Sequence, residues 1–125
     1  MHKKVAITGM GIISAIGKNV EENFDSLIHQ KHGLSRLKNF DSIHKNEIFV
    51  GEIKLSNDEL ATFLNLSPDN NFSRTAMLGL IAVKEALQNA GIENVNEVRT
   101  GLISSTSVGG MDRTENYFLD YENLP

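Results

Sequence analysis

Apolar residues in this chain alternate between short continuous runs and wider helical spacings. Val5-Ala6-Ile7 is a continuous run rich in β-branched side chains, which predicts a strand buried on both faces of a parallel sheet. Gly9, Gly11 and Gly17 follow in quick succession and predict a turn whose backbone lies close to another backbone or a ligand. Asn19 with Glu22 three residues on reads as an N-cap closing a capping box. Val20, Phe24, Leu27 and Ile28 then fall at i, i+4, i+7 and i+8, one apolar stripe on a helix from about Val20 to Gln30, with Gly33 as its stop.

Residues 34–46 lose the periodicity, and Phe40-Asp41-Ser42 reads as a turn. Ile48 to Ile53 predicts a second strand nearer an edge, because Gly51 and Glu52 weaken it. Ser56 with Glu59 predicts another capping box, opening a short helix through Leu60, Phe63 and Leu64. From about Phe72 to Ala90 the sequence is apolar on nearly every side, which predicts a long helix in an interior or between subunits, ended by Gly91 as a left-handed cap. Gly101 to Thr106 reads as a further buried strand leading into the glycine turn Ser107-Val108-Gly109-Gly110-Met111. A polar, acidic tail from Asp112 to Pro125 is expected to be a solvated face, with Asp112 and Glu115 suited to the first turn of a helix.

The pattern is that of an α/β chain, and composition narrows what it does. With 125 residues it fits one domain. A net charge of -4 supplies no basic face for nucleic acid. The absence of cysteine removes disulfides, thiolate zinc sites and thiol nucleophiles from this stretch. No apolar run approaches the roughly 20 residues of a membrane span. The basic start Met1-His2-Lys3-Lys4 reads as the approach to a strand and not as a secretory signal, so a cytoplasmic location is the default.

Three candidate chemistries follow from the residues. Gly9-x-Gly11 between strand and helix suggests a dinucleotide site, but Ser14 holds the third fingerprint position and no second strand carries the expected acidic residue. A turn shaped for packing fits better. Ser104 to Ser107 lack a nucleophile elbow and a downstream histidine, so they read as small polar residues near a pocket. His29 and His32 are spaced to share a helix face, yet neither His2 nor His44 is near enough in sequence to complete a metal site.

Taken together, these landmarks resemble the β-ketoacyl-acyl carrier protein synthases, condensing enzymes of the thiolase-like superfamily. Val5-Ala6-Ile7-Thr8-Gly9-Met10-Gly11 with Gly17 is similar to their first strand and turn. Phe40-Asp41, then Gly51-Glu52-Ile53, resembles the next landmark. Ala82-Val83-Lys84-Glu85-Ala86-Leu87 with Ala90-Gly91-Ile92 is similar to their long buried helix, and Gly101-Leu102-Ile103 leading to Ser107-Val108-Gly109-Gly110-Met111 to the strand and turn after it.

The resemblance implies an α/β, N-terminal portion of a thiolase-like fold: an incomplete layered sheet with a buried long helix, forming one incomplete domain over residues 1–125. It implies acyl transfer to a cysteine, decarboxylation of a malonyl thioester and Claisen condensation, in fatty acid or polyketide synthesis. The family's nucleophilic cysteine and two catalytic histidines lie downstream of the stretch resembled here, so no catalytic residue is carried over. Val108 matches the position of a pocket-lining aliphatic residue against the acyl chain. No metal or cofactor is implied. The implied partners are acyl carrier protein and acyl or malonyl thioesters, in a homodimer or heterodimer. One departure stands out: Ser67-Pro68-Asp69-Asn70-Asn71 carries no positive charge where elongating members meet the acidic carrier, and Asp69 would repel it. A non-catalytic subunit of chain-length-factor type and a small dinucleotide-binding module are the alternatives.

Overall fold

The structure, a computed structural model, describes residues 4–67 and 69–123, apart from the side chains of residues 119 and 120. The basic start at 1–3, with His2, and Pro68 of the loop before the long helix therefore lie outside the described residues, as do 124 and 125. In chain order the elements are α1 (Val20–Ile28), β1 (Ser35–Arg36), β2 (Phe49–Val50), α2 (Asn57–Phe63), α3 (Arg74–Asn89), a 3-10 turn (Val95–Glu97) and α4 (Met111–Glu122).

Local capping chemistry sets the helix starts. Asn19 accepts from the Glu22 N–H at 2.8 Å, while the Glu22 carboxylate turns back one residue further, to the Lys18 N–H at 2.8 Å. Before α2 the capping box is complete: Ser56 Oγ accepts from the Glu59 N–H and Glu59 Oε2 accepts from the Ser56 N–H. The latter bond holds the Glu59 carboxyl below its ordinary pKa. The α3 start is capped by Ser73, and its end by Gly91 at φ 68°, where the Ile92 N–H reaches the Leu87 carbonyl at 2.9 Å.

The core forms where α2 packs on α3. Leu60 and Ala61 from α2 meet Met77 and Ile81 from α3, bordered by Ile13, Leu55, Leu64, Leu66 and Leu78. Burying each large side chain there contributes about 2 kcal/mol. The α3 helix is less enclosed than its composition predicts: Leu80 and Val83 remain 38% and 39% exposed.

The layered sheet is not formed by the described residues. The sheet present is one antiparallel pair, Ser35 opposite Val50 and Arg36 opposite Phe49, with the Arg36 guanidinium 4.2 Å from the Phe49 ring centre. It includes two of the six residues expected in the second strand, and its partner comes from the stretch read as irregular. Val5–Ile7 and Gly101–Thr106, expected as buried strands, are unpaired and exposed, with Val5 at 94% and Ile103 at 98%. A central strand needs hydrogen-bonded neighbours on both sides. No described residue provides them here.

The α1 helix differs in two ways. It ends at Ile28, two residues before the expected end at about Gln30, because Gln30 takes φ 53° and the Lys31 N–H closes on the Ser26 carbonyl. It also presents its apolar stripe outward, with Phe24 63% exposed. An amphipathic stripe ordinarily faces a core. Here Asn23 and Ser26 are buried instead, against the turn joined by the Ser14–Gly17 bridge. Ser26 Oγ donates to the Ile16 carbonyl at 2.7 Å, and Ser14 Oγ donates to Asn23 Oδ1. Satisfying these buried polar groups sets the rotation of the helix.

Candidate functional site

A cavity of about 620 Å³ opens between the first half of α3 and the stretch 102–110. Phe72, Ala76, Leu80 and Val83 form one wall, and Leu102, Ser104–Thr106, Gly109 and Gly110 form the other. Its described lining carries no charged side chain. The size falls within the range of small-molecule sites, and an uncharged wall suits an apolar chain while offering no acid or base. Ser104, Ser105 and Thr106 do face a cavity, as their sequence suggests, though from coil and not from a strand end. Val108 lies between wall residues on that same stretch, 68% exposed, and is not itself among the lining residues. A second apolar groove, about 760 Å³, shares Leu80 and Val83 and continues to Leu64, Leu66, Leu87 and Ile92.

Three carboxylates and two arginines whose long-range partners local patterns do not reveal organise the surroundings. Asp112, expected in a solvated helix turn, accepts from the Arg74 N–H at 2.9 Å and so caps α3 from α4. The Arg74 guanidinium donates to the carbonyls of Ile53 and Leu55 and to Asn57 Oδ1, tying the start of α2 to that of α3. Arg113 donates to the carbonyls of Asn70 and Phe72, securing α4 at the mouth of the cavity. Glu52 receives the N–H groups of Lys38 and Asn39, both at 2.9 Å, and extends the β-ribbon. Glu85, in the second half of α3, receives those of Ile12 and Val20. In sequence the sole hint is a carboxylate interrupting an apolar face.

The glycine turn does not present a phosphate seat. A Cβ on Gly9 would overlap the Ala86 carbonyl oxygen, and one on Gly11 that of Ala82, so the turn lies directly on the α3 backbone. The Val20 and Glu22 N–H groups at the start of α1, which a pyrophosphate would need, are held by Glu85 and Asn19. Packing, not dinucleotide binding, explains these glycines.

The histidines are dispersed. His29 pairs with Asp25 at 2.9 Å beyond the end of α1, and His44 with Glu47 at 2.8 Å in an exposed turn. Because Gln30 breaks the helical path, His29 and His32 do not share a helix face. Asp25 is held below its ordinary pKa, first by its hydrogen bond from Lys31 and also by His29. Among the described residues no group of three or more potential ligands surrounds a metal position. No described helix is long and apolar enough to cross a membrane.

Comparison with known proteins identifies the family. The family described as beta-ketoacyl synthase, N-terminal domain, matches residues 2–123. A 3-oxoacyl-[acyl-carrier-protein] synthase 2 of Vibrio harveyi is 25% identical over 115 residues, covering 90% of this chain and 27% of that protein. Its namesake in Staphylococcus aureus is 26% identical over 116 residues, covering 91% and 28%. A 3-oxoacyl-[acyl-carrier-protein] synthase 1 of Haemophilus influenzae is 30% identical over 109 residues, covering 86% and 26%. The chain thus spans about a quarter of the length of these relatives. No solved structure matches it significantly. With nearly every residue inside the family match, the chain belongs to the β-ketoacyl synthase N-terminal domain family.

Proposed function

We propose that these 125 residues are the N-terminal scaffold of a 3-oxoacyl-acyl carrier protein synthase, inactive on their own. In that reading an acyl group passes from carrier thioester to an enzyme thiolate, releasing the carrier thiol. A malonyl thioester then loses carbon dioxide, and the resulting carbanion displaces the enzyme sulfur at the acyl carbon. The chain holds no cysteine, so the thiolate comes from outside it. What this stretch contributes is shape: one wall of an apolar acyl site, with Val108 at its edge.

The observation that carries this reading is the uncharged cavity between α3 and 102–110, on a chain of this family. Exposed apolar residues on both its flanks agree with further protein covering them, either the remainder of a longer enzyme or a partner in a homodimer or heterodimer. Acyl carrier protein would deliver the substrates in a cytoplasmic setting. Asp69, exposed and acidic, turns an acidic carrier away from the loop before α3.

The test is a condensation assay on the full-length protein with carrier-bound acyl substrates of graded length. Val108→Trp is expected to lower kcat/KM for long acyl groups by about tenfold relative to short ones, the scale on which apolar pockets discriminate. An unchanged length profile removes Val108 from the site.

A further inference from the structure

We propose that Glu85 is a positioning residue whose carboxylate sets the register of the N-terminal turn, and of the start of α1, along α3. Its two oxygens are divided between two backbone amides distant in sequence: Oε2 accepts from Ile12 at 2.9 Å and Oε1 from Val20 at 2.7 Å. These amides flank the Ser14–Gly17 bridge, a unit tied internally and to α1 through Asn23 and Ser26. Against α3 the unit rests through Gly9 and Gly11 on Ala82, Ala86 and Ala90. Those alanines repeat every four residues and present nearly identical seats just over one helical turn apart, about 6 Å along the axis. Glycine on alanine gives close approach but no preferred seat. The carboxylate does, because it can reach both amides in one register alone.

Charge strengthens the choice. Val20 is the first residue of α1, so Glu85 brings its negative charge to the positive end of that helix. Each bond is of the ionised-acceptor kind, stronger than one between neutral groups. The preceding residue, Lys84, reaches instead toward the Phe63 ring, 5.5 Å from its centre.

This inference concerns how the chain before Ile28 is placed and owes nothing to the proposed chemistry. Its test therefore reads amides and not turnover. Hydrogen exchange is followed at single-residue resolution in the full-length protein, comparing wild type with Glu85→Ala and Glu85→Gln. In Glu85→Ala the Ile12 and Val20 amides are expected to exchange roughly tenfold faster or more, as for loss of a charge-assisted bond. The Leu60 and Met77 amides, bonded to the Ser56 and Ser73 carbonyls, are expected to hold their wild-type rates. Glutamine offers one oxygen, so Glu85→Gln is expected to release one of the two amides and keep the other. That partial rescue is a signature general packing does not produce. Wild-type rates at both amides in Glu85→Ala, or release of neither or both in Glu85→Gln, overturn the proposal. Should Glu85→Ala fail to fold, the glutamine variant decides it alone.

Discussion

Gly11 shows how little room the chain leaves where it is tightest. Its Cα faces the Ala82 carbonyl so closely that even one methyl group has no place. Gly11→Ala is expected to cost about 1–3 kcal/mol, read by chemical denaturation, since the α3 backbone cannot retreat without disturbing Ile81 behind it. Gln30 is the opposite case, a residue with a Cβ held at φ 53°. Gln30→Gly is expected to stabilise the chain by about 1 kcal/mol by relieving left-handed strain. Glu59 carries a pH signature. Its pKa is lowered in the folded chain, chiefly by its hydrogen bond from the Ser56 N–H, so the unfolded chain binds more protons in the acid range. The stabilisation it gives is present above its unfolded pKa and is lost as pH falls through the folded one. Glu59→Gln is expected to flatten that limb of the stability profile, measured by denaturation across acid pH.

Among the elements, those with local instructions are the ones the sequence foretells. Asn19, the Ser56–Glu59 pair and Gly91 act within a few residues of themselves, and each marks a helix end as expected. The rotation of α1 is not legible, because periodicity identifies an apolar face without saying what lies opposite; Asn23 and Ser26 had a better partner in the 14–17 turn. The two strand-like runs failed for the converse reason, since their β-branched composition presumes neighbours that the described residues do not include. The capping roles of Asp112 and Glu85 are not legible because the helix starts they serve lie 38 and 65 residues away, a separation with no local spacing to betray it. The attachment of α4 shows the consequence. It is held by Asp112 and Arg113 and by Tyr117 bonding Asn71, contacts that are polar and partly exposed. Arg113→Met is expected to speed hydrogen exchange across α4 while leaving α2 and α3 unchanged, because it frees that helix from Asn70 and Phe72 without touching the core.

At the scale of the whole molecule, the buried apolar set is small and the exposed one large. Leu60, Ala61, Met77 and Ile81 are its buried hydrophobic residues among those described, while both grooves along α3 stand open. Heat-capacity change on unfolding scales with apolar burial. Calorimetry of the 125-residue chain is expected to give a broad transition and a value well under the roughly 12–15 cal/mol/K per residue of compact domains. A sharp, high-melting transition with a full heat-capacity step would contradict this picture.

The bare stretches Val5–Ile7 and Leu102–Ile103 also bear on handling. Each exposes a row of amides and carbonyls beside oily side chains, the template on which fibrils grow by adding one chain to the next. Lys4 guards the first as a charged gatekeeper, whereas Gly101 and Ser104 give the second no such protection. Concentrated stocks of this polypeptide should therefore seed thioflavin-positive aggregates from the later segment, and a single lysine in place of Ile103 should keep them clear.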